Sequence, residues 1–318
     1  MKTAALGADS SGLVVRSDPK DRVSNHAATA AAAPSFETAA SRPPQDEGGE
    51  RMSRSGGTKP DGTFRVMTWN IHGALGRNPR FDIARVLELI KRHDPDIVAL
   101  QEVDSRRPRS DDTETFAVVE RTLGHYGLGA KTIVTSDGAY GQMLLSRWKP
   151  SHWDVHDISF PEREPRRAIV AEIVTPHGPA RVIATHLGLS FGERRTQVRA
   201  LLELIDGGPQ TTVVVGDFND WLFAGSVRAV LRRACPGRSR FRTFPSWCPM
   251  LRLDRIYCRP AEALVHAYTD RAAAGISDHL PVIADVVAVP VAAAQSSSLS
   301  HDETIVAKRS ESAASALR

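Results

Sequence analysis

The chain has 318 residues, of which 41% are hydrophobic and 25% charged, with a formal net charge of +4. That is enough apolar material for one substantial core, while the mild basic surplus argues against a dedicated polyanion binder, and no segment is long and apolar enough to suggest a membrane span. Three cysteines, Cys235, Cys248 and Cys258, form an odd set without CxxC or CxxH spacing, which argues against a disulfide framework or a zinc site.

The aromatic residues mark the folded part. Every Trp and Tyr and all Phe except Phe36 lie between Phe64 and Val289, a span that fits one large domain. Residues 1–63 are rich in Ala, Ser, Pro, Gly and charge and read as a disordered leader; residues 290–318 read as a second loose tail. Each of these ends carries equal numbers of basic and acidic side chains, so the net charge belongs to the middle. No continuous apolar run near Met1 resembles a secretory signal, and a cytoplasmic location is the default expectation.

In chain order, Phe64–Ile71 alternates apolar and polar residues and predicts a strand with Asn70 at its carboxyl end. Ile83, Val86, Leu87 and Ile90 fall on one helical face, predicting a helix over Phe81–Asp94 that Pro95 ends. Asp96–Gln101 is a buried strand carrying Glu102 at its tip. Arg106, Arg107 and Arg109 follow in a polar loop, and Thr113–Leu123 is a weaker helix. Lys131–Thr135, Gly141–Ser146 and Ser151–Phe160 then read as successive strands whose short spacing implies antiparallel pairing. Arg166 stands at the entrance of the strand Ala168–Val174, where its planar fork of donors suits either a phosphate or plain hydration. Ala180–Thr185 is a further strand, closed by His186.

Ser190 and Glu193 have capping-box spacing and open a helix to Asp206, with Val198, Leu201, Leu202 and Ile205 as its apolar stripe and Gly207 and Gly208 as its stop. The β-branched run Thr211–Val215 predicts a buried strand that ends in Gly216, Asp217, Phe218 and Asn219. On an extended chain Asp217 and Asn219 point one way and Phe218 the other, so the pair would address one cation, water or phosphate oxygen. A helix over Ser226–Ala234 leads into an arginine-rich stretch interleaved with Phe241, Phe244 and Trp247, a pattern that suits either a solvated surface or nucleic acid. Leu253–Cys258 is a strand holding Asp254, and Ser277, Asp278 and His279 precede the last strand, Leu280–Val287. Adjacent residues of an extended chain face opposite ways, so His279 needs a partner other than Asp278, and Asp254 is the natural one.

Asn70, Glu102, His186, Asp217, Asn219, Asp254, Asp278 and His279 thus all fall at or near strand boundaries, which predicts one cleft lined by carboxylates, amides and imidazoles. Oxygen-rich ligation without thiolates points to Mg²⁺ or Mn²⁺ and to phosphoryl chemistry.

The motifs WNIHG (69–73), LQEVD (100–104), THL (185–187), GDFND (216–220), LDRIY (253–257) and SDHLP (277–281) occur in the order seen in the endonuclease/exonuclease/phosphatase superfamily, which the chain resembles over residues 64–289. The resemblance implies an α+β, DNase I-like catalytic domain: a four-layer sandwich of two mainly antiparallel β-sheets flanked by helices. It implies that Glu102 is the principal metal ligand, with Asn70 beside it and Asp278 across the site. Asp217 would align or deprotonate the attacking water, and Asn219 would hold a phosphoryl oxygen. His279 would stabilise pentavalent phosphorus or act as acid/base with its tautomer set by Asp254, and His186 and Arg166 would bind the scissile phosphate.

His186 stands where the abasic-site repair branch usually has asparagine, which favours the branch with DNase I, sphingomyelinases and inositol phosphatases. The resemblance implies a divalent-metal-dependent phosphodiesterase or phosphatase acting on a lipid headgroup or other small phosphoester, with a DNA or RNA endonuclease and a catalytically silent binding module as alternatives. No obligate protein partner is implied.

Overall fold

The structure, a computed structural model, describes residues 57–74, 82–106, 114–206, 211–221 and 226–289. The expected leader up to residue 56, the tail from residue 290, Arg107, Arg109 and the helix stop at Gly207 and Gly208 lie outside the described residues.

Chain order gives β1 (Thr63–Asn70), α1 (Ile83–His93), β2 (Ile97–Asp104), α2 (Thr115–Leu123), β3 (Tyr126–Thr135), β4 (Gly138–Ser146), β5 (Pro150–Asp157), β6 (Arg167–Thr175), β7 (Gly178–His186), α3 (Phe191–Asp206), β8 (Thr211–Asp217), α4 (Ser226–Ala234), β9 (Gly237–Arg238), β10 (Asp254–Arg259), β11 (Leu264–Thr269) and β12 (Val282–Val287). The strands form two six-stranded sheets, ordered β11-β12-β1-β2-β4-β3 and β5-β6-β7-β8-β10-β9. Within each, one interior pair is parallel, β1 with β2 and β7 with β8, and the remaining pairs are antiparallel.

Period-two alternation builds the layers. Val213 and Val215 face inward with Ile169, Ala171, Val182 and Ile256 and meet Phe64, Val66, Ile97, Ala99 and Leu144 of the other sheet. Val214 faces outward with Ile183 and Tyr257, under Val198, Leu201 and Ile205 of α3 and Val227 and Leu231 of α4. Met67, Trp69, Val98 and Leu100 cover the opposite outer face beneath α1 and α2. Strands buried on both sides read as unbroken apolar runs for this reason, and each large side chain so buried contributes about 2 kcal/mol. The result is the four-layer sandwich that the motifs imply.

The helices end where their sequences say. Asp82 caps α1 by accepting from the Arg85 amide at 3.2 Å, and Asp94 closes it in the left-handed region. The capping box of α3 is reciprocal: Ser190 N donates to Glu193 Oε2 at 2.8 Å and Glu193 N to Ser190 Oγ at 3.2 Å.

Three expectations change. Residues 57–63, assigned to the leader by composition, are built into the fold: Lys59 Nζ reaches Asp96 at 2.8 Å and Arg65 donates to the Gly57 carbonyl at 3.1 Å. Strand β3 begins at Tyr126 rather than Lys131 because its exposed edge needs little apolar pattern. Strands β4 and β5 do not pair; the chain crosses between sheets at Trp148, whose ring sits edge-on to Phe64. Short spacing cannot tell a hairpin from such a crossing.

Candidate active site

Strand register delivers three of the polar groups. In the parallel pair β7–β8, His186 lies opposite Asp217, and in the antiparallel pair β8–β10, Asp217 lies opposite Asp254. Gly216 makes this possible: at φ 148° it lets β7 approach so closely that a Cβ there would sit 1.9 Å from the Thr185 carbonyl oxygen. On the other sheet Asn70 pairs with Gln101, and Glu102 follows.

Glu102 is not at a strand tip. It lies within β2, at a bulge between Leu100 and Val103 where its own φ is +57°. The extra residue re-aims the carboxylate, and its left-handed backbone stores strain of about 1–3 kcal/mol, which the pattern of an apolar run does not reveal.

Asn219 also reaches the site by another route. Phe218 does turn inward, edge-on to Tyr257 at 5.2 Å. Strand β8, however, ends at Asp217, and Asn219 is left-handed at φ 48°, its amide donating to Asp217 Oδ1 at 2.9 Å. A side-chain turn, not extended geometry, brings the pair together. Asn219 Nδ2 then donates to the Leu187 carbonyl at 2.9 Å and stands 3.3 Å from His186 Nε2.

Asp217 is the hub. Its Oδ2 accepts from Asn70 Nδ2 at 3.1 Å and lies 3.7 Å from His186 Nε2 and 3.9 Å from His279 Nε2. Asn70 Nδ2 also donates to Glu102 Oε1 at 2.8 Å, so one amide ties the two sheets' carboxylates. His279 Nδ1 meets Asp254 Oδ2 at 2.7 Å, although Asp278 and His279 lie on a bend before β12 and not on an extended strand. Asp278 lies with its Oδ2 3.7 Å from His72 Nδ1, and that nitrogen is 3.4 Å from Glu102 Oε2.

These contacts set the charges. Burial works against the His279 cation, but Asp254, with Asp217 and Asp278 behind it, overcomes that and raises its pKa to about 10. His186 goes the other way: burial and the nearby Arg166 cation lower it to about 4, leaving a neutral imidazole. Burial would raise Glu102, yet His72, His186 and Asn70 hold it at about 2. His72 is itself raised, chiefly by its bond to Glu102.

Glu102 and Asp278 flank His72 Nδ1, so this space favours positive charge, and their carboxylate oxygens, with no cysteine beside them, are donors that suit a divalent cation. Asp217, Asp254 and His279 form a tighter group, with one donor atom each within 4.8 Å. A metal there would need the imidazole lone pairs, which protonation removes.

Arg166 is buried, with Nη1 on Glu164 Oε1 at 2.7 Å and Nε without a partner. It lines a small cavity with Thr132, Tyr140, Gly141, Gln142, Arg167 and His186, where Gln142 Oε1 is also unpartnered. Asn70, Glu102, Arg166, His186, Asp217, Asn219, Asp254, Asp278 and His279 are linked through these contacts. The residues missed are His72, Tyr140, Ser277 and Phe244. His72 had a signal, its place two residues past Asn70 in WNIHG. Tyr140 sits in mid-strand, raised by burial beside Glu102, and nothing local marks it. Ser277 Oγ donates to the Asn70 carbonyl at 2.8 Å and accepts from the His279 amide at 3.1 Å. The Phe244 ring packs 4.9 Å from that of His279, and Phe241 is buried, so of the three rings in the arginine-rich stretch only Trp247 is free to stack on a base.

Comparison with known proteins gives the family of the chain. The model of the endonuclease/exonuclease/phosphatase family matches residues 67–279, and the chain belongs to that family. Its members are hydrolases of phosphoesters, nucleases among them, and are generally dependent on divalent metal. The uncharacterized protein YbhP of Escherichia coli K12 is 32% identical over 245 residues, covering 70% of this chain and 96% of its own. Among solved structures, an endonuclease/exonuclease/phosphatase from Beutenbergia cavernae superposes with a TM-score of 0.58 at 21% identity, covering 71% of each chain. The human Nocturnin catalytic domain, solved with a bound sulfate anion, gives 0.54 at 20% identity, covering 71% of this chain and 94% of that one. These structural likenesses establish the DNase I-like fold.

Proposed function

We propose that this protein is a divalent-metal-dependent hydrolase of a lipid-headgroup or other small phosphodiester, in which water attacks phosphorus. One observation carries the reading: Asp217 Oδ2 stands within 4 Å of His279 and His186 and is bridged through Asn70 to Glu102, so a base, an acid and a cation seat share one opening.

Asp217, held by the Asn219 amide and by Asn70, is the group that aligns the water and takes its proton as the new P–O bond forms. His279, kept protonated by Asp254, stabilises the developing negative charge and gives a proton to the departing oxygen as the old P–O bond breaks. Asn219 Nδ2, neutral His186 and the unpartnered Arg166 Nε face the phosphoryl oxygens. Mg²⁺ or Mn²⁺ held by Glu102 and Asp278, with Asn70 alongside, would supply neutralisation of phosphoryl charge. Phe244, Ser277 and the Trp69 Nε1 bond to the His279 carbonyl at 3.0 Å fix the imidazole in place.

The test is hydrolysis of bis(p-nitrophenyl) phosphate by the purified protein. Turnover is expected with Mg²⁺ or Mn²⁺ and not with EDTA, and Asp217→Asn and His279→Ala are expected to lose about 100-fold or more while keeping their circular dichroism. Turnover indifferent to metal, or full activity in either variant, would remove the assignment.

A further inference from the structure

Among the described residues ten large hydrophobic side chains are exposed, and they divide in two. Tyr126, Val134, Trp153, Val174 and Val265 are scattered along β3, β5, β6 and β11, as single surface residues commonly are. Leu189 (67% exposed), Phe191 (48%), Trp221 (50%), Trp247 (58%) and Met250 (61%) instead sit on loops next to site residues, Phe191 at the start of α3.

Each lies on a segment that hydrogen-bonds to a site residue or its neighbour. Leu189 and Phe191 follow Leu187, whose carbonyl accepts from Asn219 Nδ2. Trp221 N donates to the Asn219 carbonyl at 3.2 Å. Trp247 follows Ser246, whose amide donates to the Asp278 carbonyl at 2.7 Å, and Met250 N donates to the carbonyl of Phe244, the ring against His279. Three separate segments that hydrogen-bond to site residues thus carry exposed apolar side chains. Charge accompanies them: from Trp221 to Leu253 the chain has seven arginines and no Asp or Glu, and Arg240 and Arg242 are exposed on the loop that presents Trp247 and Met250.

We propose that this rim docks the protein on the surface of an anionic phospholipid bilayer, so that the site meets phosphodiesters at headgroup depth; the substrate part of this inference rests on the hydrolase reading above. Indole rings with one apolar and one polar end settle at such an interface, and arginines beside them pair with anionic headgroups. Leu189 and Met250 decide between a bilayer and a nucleic acid, because aliphatic side chains offer a base no stacking face but enter the acyl boundary readily. Among the described residues no helix is long and apolar enough to cross a membrane, and the contact proposed is with the bilayer surface.

The experiment is cosedimentation of the full chain with phosphatidylcholine vesicles and with mixed phosphatidylcholine–phosphatidylglycerol vesicles. It is read alongside tryptophan emission, binding of a labelled single-stranded oligonucleotide, and turnover of bis(p-nitrophenyl) phosphate. The wild type is expected to sediment with the mixed vesicles with a blue-shifted emission. The variant L189S/W221S/W247S is expected to bind them at least about tenfold more weakly while hydrolysing the soluble diester at an unchanged rate. Failure to bind either vesicle, equal binding by the variant, or rim-dependent binding of the oligonucleotide without vesicle binding would overturn the proposal. Vesicle binding that depends on the rim, in a protein that does not hydrolyse the soluble diester, would uphold the docking and sink the reaction.

Discussion

Replacing Asp254 with asparagine removes one buried charge while keeping the shape of the side chain. Asp254 is fully buried and its Oδ2 lies 2.7 Å from His279 Nδ1. In the wild type it is the main reason the imidazole rises to about 10 against burial, from an ordinary value of 6.5. Without it only Asp217 and Asp278 are left to oppose burial, and the imidazole falls well below 10. His279 is then held far more weakly as a cation and an acid, and kcat on the soluble diester is expected to drop about 100-fold to 10,000-fold.

The second readout is stability. A folded pKa raised from 6.5 to about 10 contributes stability that is fully present below 6.5 and lost as pH rises through 10. Urea unfolding should show that alkaline loss in the wild type and not in Asp254→Asn, and the imidazole shifts in an NMR titration should move with it. An imidazole that still titrates near 10 in the variant, or a kcat within about threefold of wild type, would refute the pairing.

Other outcomes follow from the same geometry. Gly216→Ala places a Cβ 1.9 Å from the Thr185 carbonyl oxygen and should cost more than about 3 kcal/mol in urea unfolding; a loss under about 1 kcal/mol would show that β7 and β8 can part freely. Ser190→Ala breaks half of the α3 capping box and should cost about 1 kcal/mol, read as a lower melting temperature. His186 is lowered from 6.5 to about 4, so the unfolded chain takes its proton first and stability falls as pH drops from 6.5 toward 4, by up to about 3 kcal/mol. His186→Gln should flatten that part of the stability–pH curve, and an unaltered slope would count against a neutral buried imidazole.

Much of this arrangement was legible because strands and helices leave periodic marks. The Val213–Val215 run announced a strand buried on both faces, and α3 announced its start through Ser190 and Glu193. Asp254, named from the sequence as the partner of His279, does meet it across 25 positions, although the bend at Asp278 and His279 is not the extended chain that the reasoning assumed. What escaped was geometry that no period encodes. The bulge at Glu102 and the left-handed turn at Asn219 each place a side chain by a local break in an otherwise regular strand or strand end. His72 and Tyr140 depend on which strands become neighbours, and the order of strands in a sheet is a tertiary fact. The crossing at Trp148 was hidden for the same reason, since its spacing resembles that of a hairpin.

Water labelled with the heavy oxygen isotope tests the central claim most directly. When the metal-loaded protein hydrolyses a phosphodiester in it, the label is expected on the phosphoryl group of the product, detected by phosphorus NMR, with none in the released alcohol. Label in the alcohol would mean attack at carbon and would contradict the roles given to Asp217 and His279.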